Sequence, residues 1–378
     1  MRIAVCAHAF PKLSETFVVD HVKALQRAGH EVQILAETLS GEPVVHPDAA
    51  AMRSLTHYLP VPSTAGVLVR RMLRTWHLRR YPEAPLEGVD LIHCHFGPVA
   101  KARLYLKHQL HVPFVTSFHG YDLGQYPRRH GPQVYDRLFR EADTIVVNTR
   151  FARDRVAALG CPQEKIVLIP LGIDLSVFPF RTAQGPSDGG IVATVARLVP
   201  KKGIGVALQA MAGVLRSHRG WQYHIIGDGP LREELARQAA DLGISHDVVF
   251  WGWQDRLATI AHLQAAQIFV LPSVMSANGD VETQGLVVQE AQALGLPVIV
   301  TAVGGLAEGV EAGASGFIVP PGDPTALADR LSFLMDHRGL WPEMGRRGRV
   351  LVEERYSLER YAAALDELYH RLAERRAA

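Results

Sequence analysis

Short apolar runs alternate with amphipathic stretches of about 10 to 15 residues along the whole chain, the rhythm of successive βαβ units in a mostly parallel sheet. Residues 3–7 form the first such run and predict a strand. Residues 16–27 repeat their apolar positions at helical spacing up to Gly29, and residues 31–36 predict the next strand. Further strands are expected at 91–94, 114–117 and 144–147. The rhythm breaks around 168–179 (LIPLGIDLSVFP), and the turn-rich stretch RTAQGPSDGG at 181–190 reads as a linker. Alternation then restarts, with strands expected at 191–195, 223–226, 248–251, 268–271 and 297–301, each followed by a helical pattern. The fold class is therefore α/β: two doubly wound, Rossmann-like domains, spanning 1–180 and 181–357. A C-terminal helix near 358–378 is expected to pack back on the first domain. In such sheets ligands bind outside the carboxyl ends of the strands, so function is expected in the loops that follow them and in a cleft between the domains.

Composition agrees with two globular cores. The 378 residues are 48% hydrophobic and 21% charged, with 40 basic and 38 acidic side chains. No window reaches the roughly 18 consecutive apolar residues of a membrane span, and the opening residues enter a strand-like run without a signal-peptide core. The expected location is cytoplasmic. Cys6, Cys94 and Cys161 are odd in number and widely spaced, so they read as reduced core residues and not as a zinc or disulfide framework. Residues 1–180 hold 21 basic and 16 acidic groups, against 19 and 22 in the remainder. That imbalance is too small for a nucleic-acid groove, and no basic–aromatic interleaving accompanies it.

Candidate chemistry concentrates in a few loops. Glu282 and Glu290 stand eight apart, and the apolar run after Gly285, beginning at Leu286, predicts a helix whose free N–H groups make an anion site. Glu290, about one and a half turns inside, leans back toward that end and suits sugar hydroxyls. Arg197, Lys201 and Lys202 follow the first strand of the second domain: Arg grips phosphate with two parallel bonds, and Lys adds a compact charge. His119 follows a strand of the first domain, with Gly120 permitting close backbone approach. His93 and His95 share one strand face and read as strand-end packing or acceptor contact before metal. The run Gly227-Asp228-Gly229-Pro230 predicts a tight turn into a helix. Neither domain's first strand is followed by G-x-G-x-x-G, and G-x-x-x-x-G-K-[ST] does not occur, which weighs against NAD and P-loop readings.

Together these residues resemble the retaining glycosyltransferases of family 4, whose GT-B fold has two facing Rossmann-like domains with an interdomain cleft. The resemblance covers essentially the whole chain. It rests on E-x7-E at Glu282 and Glu290, R-x-x-x-K-K-G from Arg197 to Gly203, and G-D-G-P from Gly227. Phe10-Pro11-Lys12-Leu13-Ser14-Glu15-Thr16-Phe17, His95-Phe96-Gly97 and His119-Gly120-Tyr121-Asp122 are similar to the exopolysaccharide branch that includes colanic-acid and amylovoran transferases.

The resemblance implies a catalytic set of His119, Glu282, Arg197 and Lys202, with Gly285, Leu286 and Glu290 binding the donor. Arg197 and Lys202 would hold the diphosphate of a nucleotide sugar, Glu290 the ribose, and Glu282 and His119 the donor sugar. Ser14, Glu15, Thr16, His95 and Asp122 are the acceptor-side candidates. The implied reaction moves a hexosyl group to a glycan, such as a polyprenyl-diphosphate-linked oligosaccharide, in exopolysaccharide or cell-surface glycan synthesis. No metal and no cofactor is expected beyond the nucleotide-diphosphate sugar as co-substrate. Two positions depart from the family: Ser14-Glu15-Thr16 replaces its common paired glycines, and Gln284 stands where an aromatic or apolar residue is common. A stripe of apolar residues from Ala65 to Trp76, backed by Arg70, Arg71 and Arg74, fits either a core-packed helix or one lying on an anionic inner-membrane surface. The rival readings are a nucleotide-sugar epimerase and a non-catalytic carbohydrate-binding subunit.

Overall fold

A computed structural model of the chain describes every residue except 13–14, 41–46, 60–85, 183–187 and 378. The polypeptide forms two compact units. One comprises residues 1–147, 153–169 and 361–378, the other 148–152 and 170–360.

The first unit is built on seven parallel strands: β1 (Arg2–Ala9), β2 (Glu31–Thr38), β3 (Thr56–Tyr58), β4 (Leu91–His95), β5 (Phe114–Phe118), β6 (Thr144–Val147) and β7 (Ile166–Leu168). Their order is β3-β2-β1-β4-β5-β6-β7, so the chain winds outward from β1, then crosses back to β4 and winds the other way. The reversal between β1 and β4 is the switch point at which the carboxyl-end loops part and leave room for a ligand. All five residues of β4 and of β5 are buried, as strands covered by helices on both faces are, and His93, His95, Thr116 and Ser117 are the polar groups among them. The C-terminal helix Leu358–Ala377 buries Tyr361, Leu365, Leu368, Tyr369 and Leu372, one stripe at helical spacing.

The second unit repeats the plan with six parallel strands, β8 (Gly190–Val195), β9 (Trp221–Ile226), β10 (Val248–Gly252), β11 (Ile268–Leu271), β12 (Val298–Thr301) and β13 (Gly316–Val319), in the order β10-β9-β8-β11-β12-β13. Its switch point lies between β8 and β11. The passage between the units falls at 169/170 and not at 180/181, because Leu171 and Ile173 bond within the second unit. The Ile173 N–H donates to the Tyr356 carbonyl at 2.8 Å, and the Leu358 N–H donates to the Ile173 carbonyl at 2.9 Å.

The helix Thr16–Arg27 and the strands β6 and β11 have the bounds that periodicity predicts, and most other strands run one or two residues longer. Strands β3, β7 and β13 carry no prediction. All three lie at sheet edges, where one side is unpaired; β3 and β7 have only three residues each, none of them buried. The three cysteines are free and buried.

Candidate active site

In the second unit, the loops after β8, β9, β11 and β12 assemble a charged cluster. Pro200–Lys202 makes a single 3₁₀ turn closed by Gly203, and the Val274 N–H donates to the Lys201 carbonyl at 2.8 Å, tying that turn to the loop after β11. From the other side the loop after β9 presses on it. A Cβ at Gly227 would stand 2.0 Å from the Ala196 carbonyl oxygen, so only glycine lets the two backbones approach so closely. The Leu198 N–H donates to the Asp228 carbonyl at 2.9 Å. The G-D-G-P run is thus the scaffold of the cationic loop. Its Pro230 precedes the helix Arg232–Asp241 by two residues instead of opening it.

Glu282 lies between the two lysines. Its Oε2 is 2.9 Å from Lys202 Nζ and its Oε1 is 3.1 Å from Lys201 Nζ, which also reaches Asp280 at 3.2 Å. Burial pushes the Glu282 carboxyl up, but the charges and hydrogen bonds of Lys202 and Lys201 outweigh it and hold the pKa at about 2. Burial lowers the Lys202 ammonium more than Glu282 raises it, with Lys201 and Arg197 adding to the depression. For Lys201 burial is the largest influence, yet Glu282 and Asp280 together prevail and raise it. Arg197 is exposed at the end of β8.

Gly285 starts the next helix, Leu286–Ala293, with φ at +70° and no side chain capping the first turn. The Val288 N–H donates back to the Gly285 carbonyl at 2.8 Å, and the amides ahead of it are the donors that an anion at a helix start would use. Leu286 and Glu290, four apart, are both half-buried on one face of that helix, while Val288, Gln289, Ala291 and Gln292 are buried. Behind Glu282, the Gly305 N–H donates to its carbonyl at 3.1 Å, and a Cβ at Gly304 would lie 1.8 Å from the same oxygen.

In the first unit the ends of β4 and β5 are joined by Asp122. Its Oδ1 accepts from the N–H groups of His119 (2.9 Å) and Gly120 (2.8 Å), and its Oδ2 from that of Gly97 (3.1 Å). Burial raises its carboxyl to about 6 against those bonds. Asp122 therefore anchors the two loops, and both its oxygens are engaged by backbone. His119 lies tilted against Phe17, with ring centroids 4.3 Å apart, and meets Phe96 edge-on at 4.9 Å. Its Nε2 lies 3.0 Å from Nδ1 of the fully buried His95. Burial, then the neighbouring His95 and His93, lower the His119 pKa well below the ordinary imidazole range. Glu15 pairs with Lys12 at 2.5 Å, and Thr16 opens the first helix. Ser14 lies outside the described residues, as does the basic stretch 65–80.

Two family models tile the chain: Glycosyltransferase Family 4 matches residues 14–177, and Glycosyl transferases group 1 matches residues 180–351. WcaL of Salmonella typhimurium, a glycosyltransferase assigned to colanic acid biosynthesis, is 30% identical over 368 residues, covering 88% of this chain and 90% of the relative. The chain belongs to the family-4 glycosyltransferases. AmsK of Erwinia amylovora, an amylovoran biosynthesis glycosyltransferase, is 29% identical over 99% of this glycosyltransferase and 100% of its own length. Among solved structures, HepE of Anabaena in complex with UDP and glucose superposes with a TM-score of 0.76 at 18% identity, over 98% of this chain and 100% of that one. Sucrose-phosphate synthase from Thermosynechococcus elongatus gives 0.76 at 22% identity, over 98% and 99%. The glycosyltransferase has the GT-B fold.

Within its second unit the enzyme brings Lys202 and Glu282 into direct contact, with Arg197 close enough for its charge to act on Lys202. Within its first unit it joins His95, His119 and Asp122. Gln284 takes a structural place: its amide bonds the Leu171 backbone twice, accepting from N–H and donating to C=O, both at 2.9 Å. Asp280, the Gly304-Gly305 backing, His21 and Tyr369 also belong to these sites, and no motif in the sequence singles them out. Paired glycines after a strand are the only trace of the second of these; the others carry no spacing that would flag them. Among the described residues no group of three or more His, Cys, Asp or Glu side chains is arranged to hold a metal ion, and no helix is long and apolar enough to cross a membrane.

Proposed function

We propose that the enzyme transfers a hexosyl group from a nucleoside-diphosphate sugar to a lipid-linked glycan, with retention of anomeric configuration and without a divalent metal, as a step in exopolysaccharide synthesis. The observation that carries this reading is the Lys201–Lys202–Glu282 cluster beside the uncapped helix start at Gly285. Breaking the C1–O bond leaves negative charge on the diphosphate and positive character on the sugar ring. Fixed cations and amide dipoles aimed at the leaving group stabilise that charge without reorganising. The names of WcaL and AmsK support the exopolysaccharide role, and the UDP and glucose held by HepE support a nucleotide-sugar donor.

Glu282 bears on the route to retention. A carboxylate with a pKa of about 2 and an ammonium on each oxygen is a poor nucleophile and holds no proton to give. Same-face attack avoids both demands: the acceptor oxygen bonds to C1 as the C1–O(phosphate) bond breaks, and the acceptor proton passes to the departing phosphate oxygen. In the first unit, His119 is proposed as a neutral hydrogen-bonding group for a carbohydrate hydroxyl.

Purified protein assayed with a panel of UDP- and GDP-hexoses and extracted polyprenyl-diphosphate glycans tests the reading, with product mass and anomeric analysis, in the presence and absence of EDTA. The expected result is a glycoside retaining the donor's anomeric configuration, formed equally well in EDTA. Release of an epimerised hexose without glycoside would select the epimerase reading. Complete loss in EDTA, restored by metal, would contradict the cationic clamp.

A further inference from the structure

Four imidazoles and one phenol form a continuous hydrogen-bonded chain in the first unit. Ser117 Oγ is 2.7 Å from His93 Nε2, and His93 Nδ1 is 2.5 Å from the Tyr369 hydroxyl. That hydroxyl is 3.0 Å from His21 Nε2; His21 Nδ1 is 2.7 Å from His95 Nε2, and His95 Nδ1 is 3.0 Å from His119 Nε2. Its members come from β4, the end of β5, the first helix and the C-terminal helix. His21, His93, His95 and Tyr369 are completely buried. Polar groups in a dry core are costly unless every one is bonded, and an apolar cluster of this size would need no such care.

A neutral imidazole has one N–H and one bare nitrogen, so a ring bonded at both nitrogens must donate at one and accept at the other. Rings linked in series then share a single direction, and the phenol passes it on by accepting on one side and donating on the other. The direction is set at Ser117. Its hydroxyl is buried, and among the described residues the hydrogen-bond partner of its Oγ is His93 Nε2, so the hydroxyl donates there. His93 Nδ1–H must then donate to Tyr369, Tyr369 to His21 Nε2, His21 Nδ1–H to His95 Nε2, and His95 Nδ1–H to His119 Nε2.

We infer that Tyr369, a positioning residue on the C-terminal helix, carries the hydrogen-bond direction set at Ser117 through to His119 and holds it as the Nδ1–H tautomer. All four rings take this form, the minority tautomer of a free histidine side chain. Burial keeps the four rings neutral, with His95 lowered to about 3, so no imidazolium interrupts the chain near pH 7. The functional consequence rests on the proposed transfer reaction: His119 Nδ1 offers a hydrogen to a carbohydrate oxygen and does not act as a base.

The test uses the full-length protein labelled with ¹⁵N-histidine. Two-bond ¹H–¹⁵N correlations distinguish protonated from bare ring nitrogens, and His→Gln variants assign each ring. The expected result is Nδ1–H at positions 21, 93, 95 and 119. In Tyr369→Phe the rings at 21, 95 and 119 should shift together toward Nε2–H. Ser117→Ala should produce the same collective shift with the phenol in place, and serves if Tyr369→Phe fails to fold. Nε2–H at His95 or His119 in the unmodified protein would overturn the inference, as would a shift confined to the ring beside the substitution. In the transfer assay, Tyr369→Phe should lower kcat about three- to tenfold with donor KM nearly unchanged, the worth of one hydrogen bond. A fall in kcat with the tautomers unmoved would contradict the positioning role. Absence of transfer by the unmodified protein would overturn the functional reading alone, leaving the tautomers to be decided by the spectra.

Discussion

At Lys202 and Glu282, opposite charges neutralise each other until a more strongly charged partner arrives. In the proposed reaction a diphosphate would compete with Glu282 for the ammonium, and the carboxylate, held at a pKa of about 2, would stay ionised beside it. Lys202→Ala is expected to reduce kcat by about 10² to 10³ at saturating donor, the loss typical of one charge-stabilising donor. Near-normal turnover would remove Lys202 from the mechanism. Gln284 shows the limit of reading by analogy: the resemblance flags it as a departure from the family, while the structure commits its amide to Leu171. Gln284→Leu keeps the volume but strands a buried N–H and C=O, at about 1 to 3 kcal/mol each. A lower urea midpoint with an unchanged donor profile is expected; a changed donor profile at unchanged stability would contradict this placement.

The helix that begins at Gly285 depends on a left-handed residue packed against Leu306. A Cβ there would stand 2.4 Å from Leu306 Cδ2, so Gly285→Ala combines backbone strain with a clash. A loss of about 1 to 3 kcal/mol is expected on denaturant unfolding. An unchanged midpoint would mean the turn has another available conformation. Elements of this kind are legible in part. Residues 16–27, 144–147 and 268–271 have clear periods and flanking turn residues, and their bounds follow from the sequence. Strands β3 and β7 escape because three residues at a sheet edge, none of them buried, leave no alternation to detect. The cationic loop and E-x7-E are local patterns and are readable. The scaffolding of G-D-G-P against Ala196 and Leu198 is a contact between loops, and no spacing within either loop encodes it.

Across the whole molecule, the hardest features to foresee are those joined through long sequence separations. His21 meets Tyr369 from 348 positions away, and nothing near either residue announces the other. Their burial has a measurable consequence. Each of the four imidazoles has a folded-state pKa depressed below 6.5, so the unfolded chain takes up protons that the folded chain refuses. Stability therefore falls as pH drops below about 6.5, by up to about 1.4 kcal/mol per pH unit for each withheld proton. Asp122 offsets one of these, since its raised pKa of about 6 lets the folded state bind a proton earlier than the unfolded one. Urea midpoints should drop between pH 7 and pH 5, and constant midpoints would contradict the neutral, buried assignment. The proposed reaction requires the cationic loop of the second unit to hold a diphosphate. A crystal structure with a UDP- or GDP-hexose that supports turnover tests it most directly. Both phosphates are expected within hydrogen-bonding distance of Arg197, Lys202 and the amides following Gly285; phosphates bound away from all three would rule out this donor site.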